Sequence, residues 1–505
     1  MTATIGSALA WWASCQPERA AVIVGEGQVD YQTLEAWSSR AAQQLQAAGV
    51  HHGDRVGLLA PNDIAWTVAA LAIIKAGAVI VPLNSRFRPA ELRNVLDAAG
   101  ATTLIAHDSL KGVVEESNAL GAPVSLVTFS EIEVLRIGEP SSFRIDRDPD
   151  EPIAIIFTSG STGLSKGVVL TNRTLLSIVF EASLTEKGFR QGSTSLLVLP
   201  LAFTPGLVWG LLMTTVLGGT IVVERELDPS RAVRLVEQHR VQALFGVPLI
   251  FQAIASAPEF ADADLSSVET AIVGGAAVPV PLLEAWAAKD VALRQIYGMT
   301  EAGGVATATL REEFRDHPGS CGAGSIFTSL KVVRDDGTPA APGEPGEILI
   351  QGPGVTPGYW NEPEITADVF RDGWLRSGDL GKVDEKGRIT FVDRLKDLII
   401  TGGINVSPVE LEAVIARIPG VAEVAVIAAP DEKFGETPAA IVTRGGALEE
   451  ATVVEECAKV LSSFKVPSYV VLRDDPLPRL PNGKISKVDI RAEYADLVER
   501  FAKVR

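Results

Sequence analysis

The stretch Ile153–Val169, IAIIFTSGSTGLSKGVV, has the composition of a phosphate cradle. An apolar run leads into Thr158, Ser159, Gly160, Ser161, Thr162 and Gly163, and Lys166 and Gly167 follow. Glycines let a backbone turn tightly and bring its N–H groups against phosphate oxygens. Hydroxyls add donors and the lysine adds charge. The Walker pattern, with Gly directly before Lys and Ser or Thr after it, is absent. Here Ser165 precedes Lys166 and Gly167 follows. A Gly/Ser/Thr loop alone is more often a flexible turn, and the preceding strand together with the lysine moves the reading to phosphate binding.

Other short runs carry usable chemistry. In Tyr297–Glu301, YGMTE, a tyrosine face can stack on a purine, a hydroxyl can hold a phosphate oxygen and a carboxylate can hold Mg²⁺. In Gly274–Pro279, GGAAVP, the small residues Gly274, Gly275 and Ala276 permit close approach. In Arg376–Gly381, RSGDLG, Asp379 stands on a Gly-flanked turn, and a carboxylate there can accept both hydroxyls of a ribose. Taken singly, each would be an ordinary turn. The run DRLKDLIITGGINVSP, residues 393–408, and the PNGK turn, residues 481–484, read in isolation as a solvated charge cluster and a surface turn.

The elements that must position these residues alternate. Leu34, Trp37, Ala41 and Leu45 are spaced for one helical face, which Gly49 ends. Val56–Ala60 reads as a strand, Ile64–Ala76 as a helix closed by Gly77, and Val79–Val81 as a strand. Leu92–Ala99 followed by Thr103–Ala106 repeats the pattern, which predicts parallel sheet with helices on its faces. From Gly319 to Asp393, glycine and proline are dense and Glu347–Gln351 and Arg388–Val392 read as strands of a β-rich unit. Beyond Lys396 the pattern is α+β: helices at Val409–Ala416 and Ala451–Leu461, strands at Ala422–Ala428, Ala439–Thr443 and Tyr469–Arg473.

A chain of 505 residues exceeds one compact core. A formal charge of -18 disfavours nucleic-acid and anionic-membrane surfaces, which need clustered Lys and Arg. The three scattered cysteines form neither a zinc pattern nor a disulfide framework, and free thiols in a reducing compartment are expected. No basic segment opens the chain as a signal peptide would. Leu196–Val223 contains no charged residue and is long enough for a bilayer. Its prolines and glycines, and the lack of a flanking Lys/Arg excess, favour a core helix running into a buried strand over membrane insertion.

Together these motifs resemble the adenylate-forming superfamily: acyl- and aryl-CoA synthetases, peptide-synthetase adenylation domains and firefly luciferase. The match runs in order over essentially the whole chain. It implies a large N-terminal α/β domain of mixed sheets packed with helices, with a small β-rich subdomain, residues 1–395, and a small mobile α+β lid domain, residues 396–505. It further implies ATP, Mg²⁺ and coenzyme A as reactants with a small carboxylic acid, in the cytoplasm, and it allows a homodimer. On this resemblance Tyr297, Gly298 and the 274–276 segment flank adenine, Thr300 and Lys166 hold phosphate, and Glu301 holds Mg²⁺ with Thr158 as a second contact. Asp379 and Arg394 hold ribose and phosphate. Lys396 is the hinge, Gly402 and Gly403 line the thiol's path, and Lys484 bridges carboxylate and α-phosphate.

One departure concerns the acid. Relatives often carry an aromatic–His pair where this chain has Phe203-Thr204, and none of the five histidines falls in a motif. Amino-acid-activating relatives place Asp at the corresponding point to pair with a buried ammonium, and Thr204 supplies no such charge. The expected pocket comprises Phe203, Thr204, Pro205, Trp209, Val247, Gly275, Met299 and Gly304, which suits a fatty or aromatic acid. The expected reaction gives acyl-AMP and pyrophosphate, then acyl-CoA and AMP. Alternative readings are a stand-alone enzyme loading a carrier-protein thiol, a luciferase-type oxygenase and a catalytically dead scaffold.

Overall fold

The computed structural model describes residues 3–158, 166–276, 278–307, 316–402, 404–480 and 483–505. It divides into two compact units, Met1–Leu330 with Ile350–Leu375, and Lys331–Leu349 with Arg376–Arg505.

In the larger unit the expected alternation appears as the strand Arg55–Leu59, helix Ile64–Lys75, strand Val79–Leu83, helix Pro89–Ala99 and strand Thr103–Ala106. The fourth element starts earlier than its apolar face does because Pro89, at the first helical position, already has a helical φ and needs no N–H partner. Leu34, Trp37, Ala41 and Leu45 are all buried along the helix Tyr31–Ala47. The first sheet runs Ser125–Thr128, Thr103–Ala106, Arg55–Leu59, Val79–Leu83, Pro152–Thr158, Lys166–Thr171. All neighbours are parallel except the last pair, an antiparallel hairpin in which Thr158 faces Lys166.

The second sheet has the order Leu293–Gln295, Thr270–Val273, Ala243–Gly246, Thr194–Leu197, Thr220–Val223, Ala20–Val24, Gly27–Asp30, parallel up to its last strand. The charge-free run Leu196–Val223 supplies two of these strands. Between them Pro205–Leu212 winds as a π-helix and Met213–Leu217 as an α-helix. Gly206 is required there, since a Cβ would meet the Pro200 carbonyl oxygen at 2.2 Å. This segment is core, a helix feeding a buried strand, and among the described residues no helix is long and apolar enough to cross a membrane.

The smaller unit is ordered by strict strand alternation. Its sheet has Ile404–Val406, Ile399–Thr401, Gly435–Arg444 and Val421–Asp431 in order, with Tyr469–Arg473 parallel to Gly435–Arg444. Val426, Ala440, Val442 and Val470 face one way, onto Leu411, Ile415, Val453 and Cys457 of the helices Pro408–Ile415 and Glu450–Val460. Ile427, Ile441, Tyr469 and Val471 face the other way, onto Ile490 and Leu497. Successive side chains on a strand point to opposite faces, so one sheet builds two cores.

This unit reaches back beyond residue 396, to Arg376, and takes in Lys331–Leu349. One cause is the buried Asp393, whose carboxylate accepts hydrogen bonds from Ser407 Oγ at 2.6 Å and the Val409 N–H at 3.1 Å. That residue fastens the strand Ile389–Arg394 to the start of the helix Pro408–Ile415.

Candidate functional site

Parallel strands deliver their following loops to one edge of a sheet, where ligands of open α/β sheets bind. In the second sheet, residues 199–206 follow Thr194–Leu197, Val247 follows Ala243–Gly246, Gly274–Pro279 follows Thr270–Val273, and Tyr297–Glu301 follows Leu293–Gln295. Phe203, Thr204, Pro205, Val247, Gly275 and Met299 of the expected acid pocket therefore stand on this edge, with Trp209 in the helix that follows the first loop and Gly304 just beyond the last. Contacts confirm the convergence. Trp209 Nε1–H donates to the Gly303 carbonyl at 2.8 Å, and the Thr204 and Thr300 hydroxyl oxygens are 3.0 Å apart. Thr204, where relatives often have His, is buried and joins the pocket to the expected phosphate-holding hydroxyl.

The adenine-side segments are neighbours too. The Val278 N–H donates to Gln295 Oε1 at 3.2 Å, and Gly274 N–H donates to the Gly246 carbonyl at 3.1 Å. Gly275 has φ +81°, a left-handed turn with its face exposed. Tyr297 is buried, its backbone N–H held by Thr307 Oγ1 at 2.8 Å. Gly298 has no room for a side chain, since a Cβ would lie 2.2 Å from the Gly304 carbonyl oxygen. Ala276 is exposed beside Gly275.

Ser159, Gly160, Ser161, Thr162 and Gly163 lie outside the described residues, as does Gly403. The ends of the first loop are placed: Thr158 and Lys166 pair across the hairpin. Glu301 is buried, with Oε1 accepting the Tyr359 O–H at 2.7 Å and Oε2 having no hydrogen-bond partner among the described residues. Burial, and then the Glu301 charge, raises the Tyr359 hydroxyl above its ordinary range and keeps it a donor. The Lys166 ammonium lies 5.4 Å from the Tyr359 ring centroid. Sequence reasoning missed Tyr359. The only signal available was a polar-tipped aromatic in Gly358-Tyr359-Trp360 with no obvious core periodicity.

The Mg²⁺ reading can be tested on this donor set. Among the described residues no group of three or more His, Cys, Asp and Glu converges. A protein-only cage is thus not what these residues build. One buried carboxylate with a free oxygen is the donor Mg²⁺ uses when phosphates and water fill its other positions. Glu301 fits the ion on that ground.

In the smaller unit Asp379 and Arg394 face each other across the hairpin Trp374–Val383 and Ile389–Arg394, with Arg394 Nε 3.7 Å from Asp379 Oδ1. Asp379 is buried, and its backbone N–H donates to Ser377 Oγ at 3.1 Å. Lys396 sits in the short 3₁₀ turn Leu395–Asp397, and the Asp397 carboxylate holds Arg491 at 2.8 Å. Burial, then the Arg394 charge, lowers Lys396. Lys484 joins the same group. Burial first, then Arg394, lowers its ammonium to about 8, against an opposing pull from Asp379. Gly402 has φ +57° and donates its N–H to the Phe434 carbonyl at 2.8 Å. None of the five histidines is buried or lies in these clusters.

Two expected outcomes follow directly. A Cβ on Gly304, which has φ +104°, would lie 3.0 Å from Trp209 Nε1 and 3.4 Å from Thr204 Cγ2. Gly304→Ala is expected to raise the KM for the acid about tenfold, with the KM for ATP within about twofold. Equal rises for both substrates would remove Gly304 from the acid pocket. The second concerns pH. A lowered lysine loses its ammonium earlier than usual as pH rises, so a step needing that charge is intact below about 8 and lost above it. In the pyrophosphate-forming half-reaction kcat/KM for ATP should fall about tenfold per pH unit beyond that point, because this parameter reports the free enzyme. Lys484→Arg should abolish the limb whatever its absolute rate.

The sheet order and the loops gathered on one edge of the larger unit fit the adenylate-forming class. The AMP-binding enzyme family model matches residues 9–360, and the AMP-binding enzyme C-terminal domain matches residues 410–484. A feruloyl-CoA synthase of Amycolatopsis sp is 36% identical over 493 residues, covering 95% of this chain and 97% of that protein. A long-chain-fatty-acid–CoA ligase of Mycobacterium tuberculosis is 36% identical over 477 residues, covering 93% and 94%. The crystal structure of ATP-bound MatB from Rhodopseudomonas palustris superposes with a TM-score of 0.88 at 31% identity, covering 98% of this chain and 100% of that one. The chain belongs to the AMP-binding enzyme family, in the acyl-CoA synthetase branch of the adenylate-forming superfamily.

Proposed function

We propose that the protein activates a fatty or aromatic carboxylic acid with ATP and transfers the acyl group to coenzyme A in the cytoplasm. The observation that carries this reading is the single edge on which Thr204, Trp209, Thr300, Glu301 and Gly304 meet. It supports an apolar acid pocket beside the groups read as holding phosphate. In the first half-reaction the acid's carboxylate attacks the α-phosphorus and pyrophosphate leaves. Both reactants are anionic, so the chain must align them and supply positive charge. Lys166 and Lys484 supply that charge and Thr300 donates its hydroxyl to phosphate. Asp379 and Arg394 hold the ribose side. Glu301, with Thr158 as a second contact, would hold magnesium, which would supply charge neutralisation to the triphosphate.

In the second half-reaction the thiol attacks the activated carbonyl, forming the thioester and releasing AMP. No protein side chain need become covalently attached. A rotation about Lys396 exchanges Lys484 for the Gly402–Gly403 turn, so one pocket serves both steps. The absence of a carboxylate at Thr204 supports a substrate without an α-ammonium group. The two CoA ligases named above act on an aromatic and on a fatty acid by their names, and the ATP-bound relative supports the nucleotide. Cys15, Cys321 and Cys457 form no disulfide among the described residues, which suits a reducing compartment.

The test is AMP release over a panel of fatty, aryl and branched or polycyclic acids, with and without coenzyme A. Acid-dependent AMP release that requires coenzyme A supports the proposal. Turnover with a carrier-protein thiol alone would replace the acceptor, and no pyrophosphate from any acid would end it.

A further inference from the structure

Tyr359 touches two of the groups assigned to the triphosphate, from a segment that is stitched to both. The Val169 N–H donates to the Gly358 carbonyl at 3.1 Å and the Trp360 N–H to the Gly167 carbonyl at 2.8 Å. Residues 358–360 thereby extend the sheet beside Lys166–Thr171, with Tyr359 bridging Val168. Thr356 ties the other side. Its N–H donates to the Glu301 carbonyl at 2.7 Å and its hydroxyl to the Val169 carbonyl at 2.6 Å. The Tyr359 phenol is thus fixed between the end of the phosphate hairpin and the YGMTE segment. Its O–H holds Glu301 Oε1 at 2.7 Å and its ring face receives the Lys166 ammonium at 5.4 Å.

We propose that Tyr359 is a positioning residue that aims both the carboxylate of Glu301 and the ammonium of Lys166 at the triphosphate. The proposal rests on the reading of Glu301 as the magnesium carboxylate. A carboxylate with one oxygen tied to a rigid donor presents the other in one direction, which is how outer hydrogen bonds tune a metal ligand. The cation sits on the ring's negative face. Lys166 forms no ion pair with a carboxylate among the described residues. One phenol therefore gives two opposite charges a partner other than each other, and both stay available to a ligand. The acceptor and the cation use different parts of the side chain, so they can be removed separately.

Binding of ATP to the full chain, followed by calorimetry with Mg²⁺ and with EDTA, tests this without turnover. Tyr359→Phe keeps the ring and loses the O–H. It should weaken ATP binding in Mg²⁺ about tenfold and leave binding in EDTA within about twofold. Tyr359→Leu also loses the ring face and should weaken binding in EDTA as well. In a Glu301→Gln background, Tyr359→Phe should add nothing further. Wild-type binding by Tyr359→Phe in Mg²⁺, or an equal loss with and without the ion, would overturn the proposal. If Glu301→Gln itself leaves the Mg²⁺ increment intact, the metal assignment fails. If it removes the increment while Tyr359→Phe preserves it, only the tyrosine's role fails.

Discussion

Lys484→Ala is expected to slow acid-dependent pyrophosphate formation about 10²- to 10³-fold, the usual cost of removing one preorganised charge from a transition state. Conversion of supplied acyl-AMP to the thioester should stay within about threefold. The reasoning begins with charge. The attacking carboxylate and the triphosphate repel one another, and the pentavalent phosphorus adds negative charge to its oxygens. A lysine held among Arg394 and Asp379, with its ammonium lowered by burial, has lost solvation that a ligand's oxygens can replace. Alanine removes the charge and leaves the neighbouring cation. The second step starts from a mixed anhydride that is already activated and has no pyrophosphate to expel, so it does not call on this lysine. Paired assays of pyrophosphate exchange and of thioester formation separate the two. An equal fall in both would mean that Lys484 holds the nucleotide generally or supports the fold.

Much of this fold is legible because its elements carry strong local signals. The Tyr469–Arg473 strand coincides with its apolar run, and the two faces of that sheet are separated by simple alternation. The charge-free run at 196–223 resolves into strand, helix and strand because Gly206 and the Gly218-Gly219 pair interrupt what composition alone would make one long apolar segment. The segments expected to form the acid pocket gather for a different reason. Most of them follow parallel strands, and parallel topology brings such loops together whatever their separation in sequence.

What was not legible depends on pairing between distant segments. Nothing in Gly358-Tyr359-Trp360 signals that it adds to the edge of Lys166–Thr171, so the tyrosine's contact with Glu301 could not be foreseen. Nor does the sequence around residue 396 disclose that Asp393 binds Ser407 and Val409. That lock extends the compact unit upstream of the proposed hinge. Hydrogen bonds from one carboxylate decide it, and they leave no periodic trace. The Thr204–Thr300 contact is similar: the departure from the usual histidine was visible, whereas its hydroxyl partner required the fold.

Gly403→Trp is expected to show the opposite kinetic pattern to the lysine variant. Thr401 pairs with Ile404 across the strands Ile399–Thr401 and Ile404–Val406, so residues 402 and 403 alone connect them. Gly402 has the positive φ that such short connections favour. Beside this turn Ile400, Ile404 and Phe434 leave about half of their surfaces exposed, at 54%, 47% and 47%. Large apolar groups left exposed near Gly402 suit a surface covered during only part of a reaction cycle, and in the proposed mechanism that part is thiol entry. In the proposed mechanism an indole at residue 403 stands in the thiol's route and leaves the first half-reaction's groups in place. Thioester formation from supplied acyl-AMP should therefore fall by about 10²-fold, the order expected when a reactant is held off its line of attack. Pyrophosphate exchange should remain within about threefold, and the melting temperature should show that the turn still forms. An unchanged thioesterification rate would place the thiol's route elsewhere. Loss of both half-reactions with an unchanged melting temperature would mean that the turn serves the common pocket and not the second step alone.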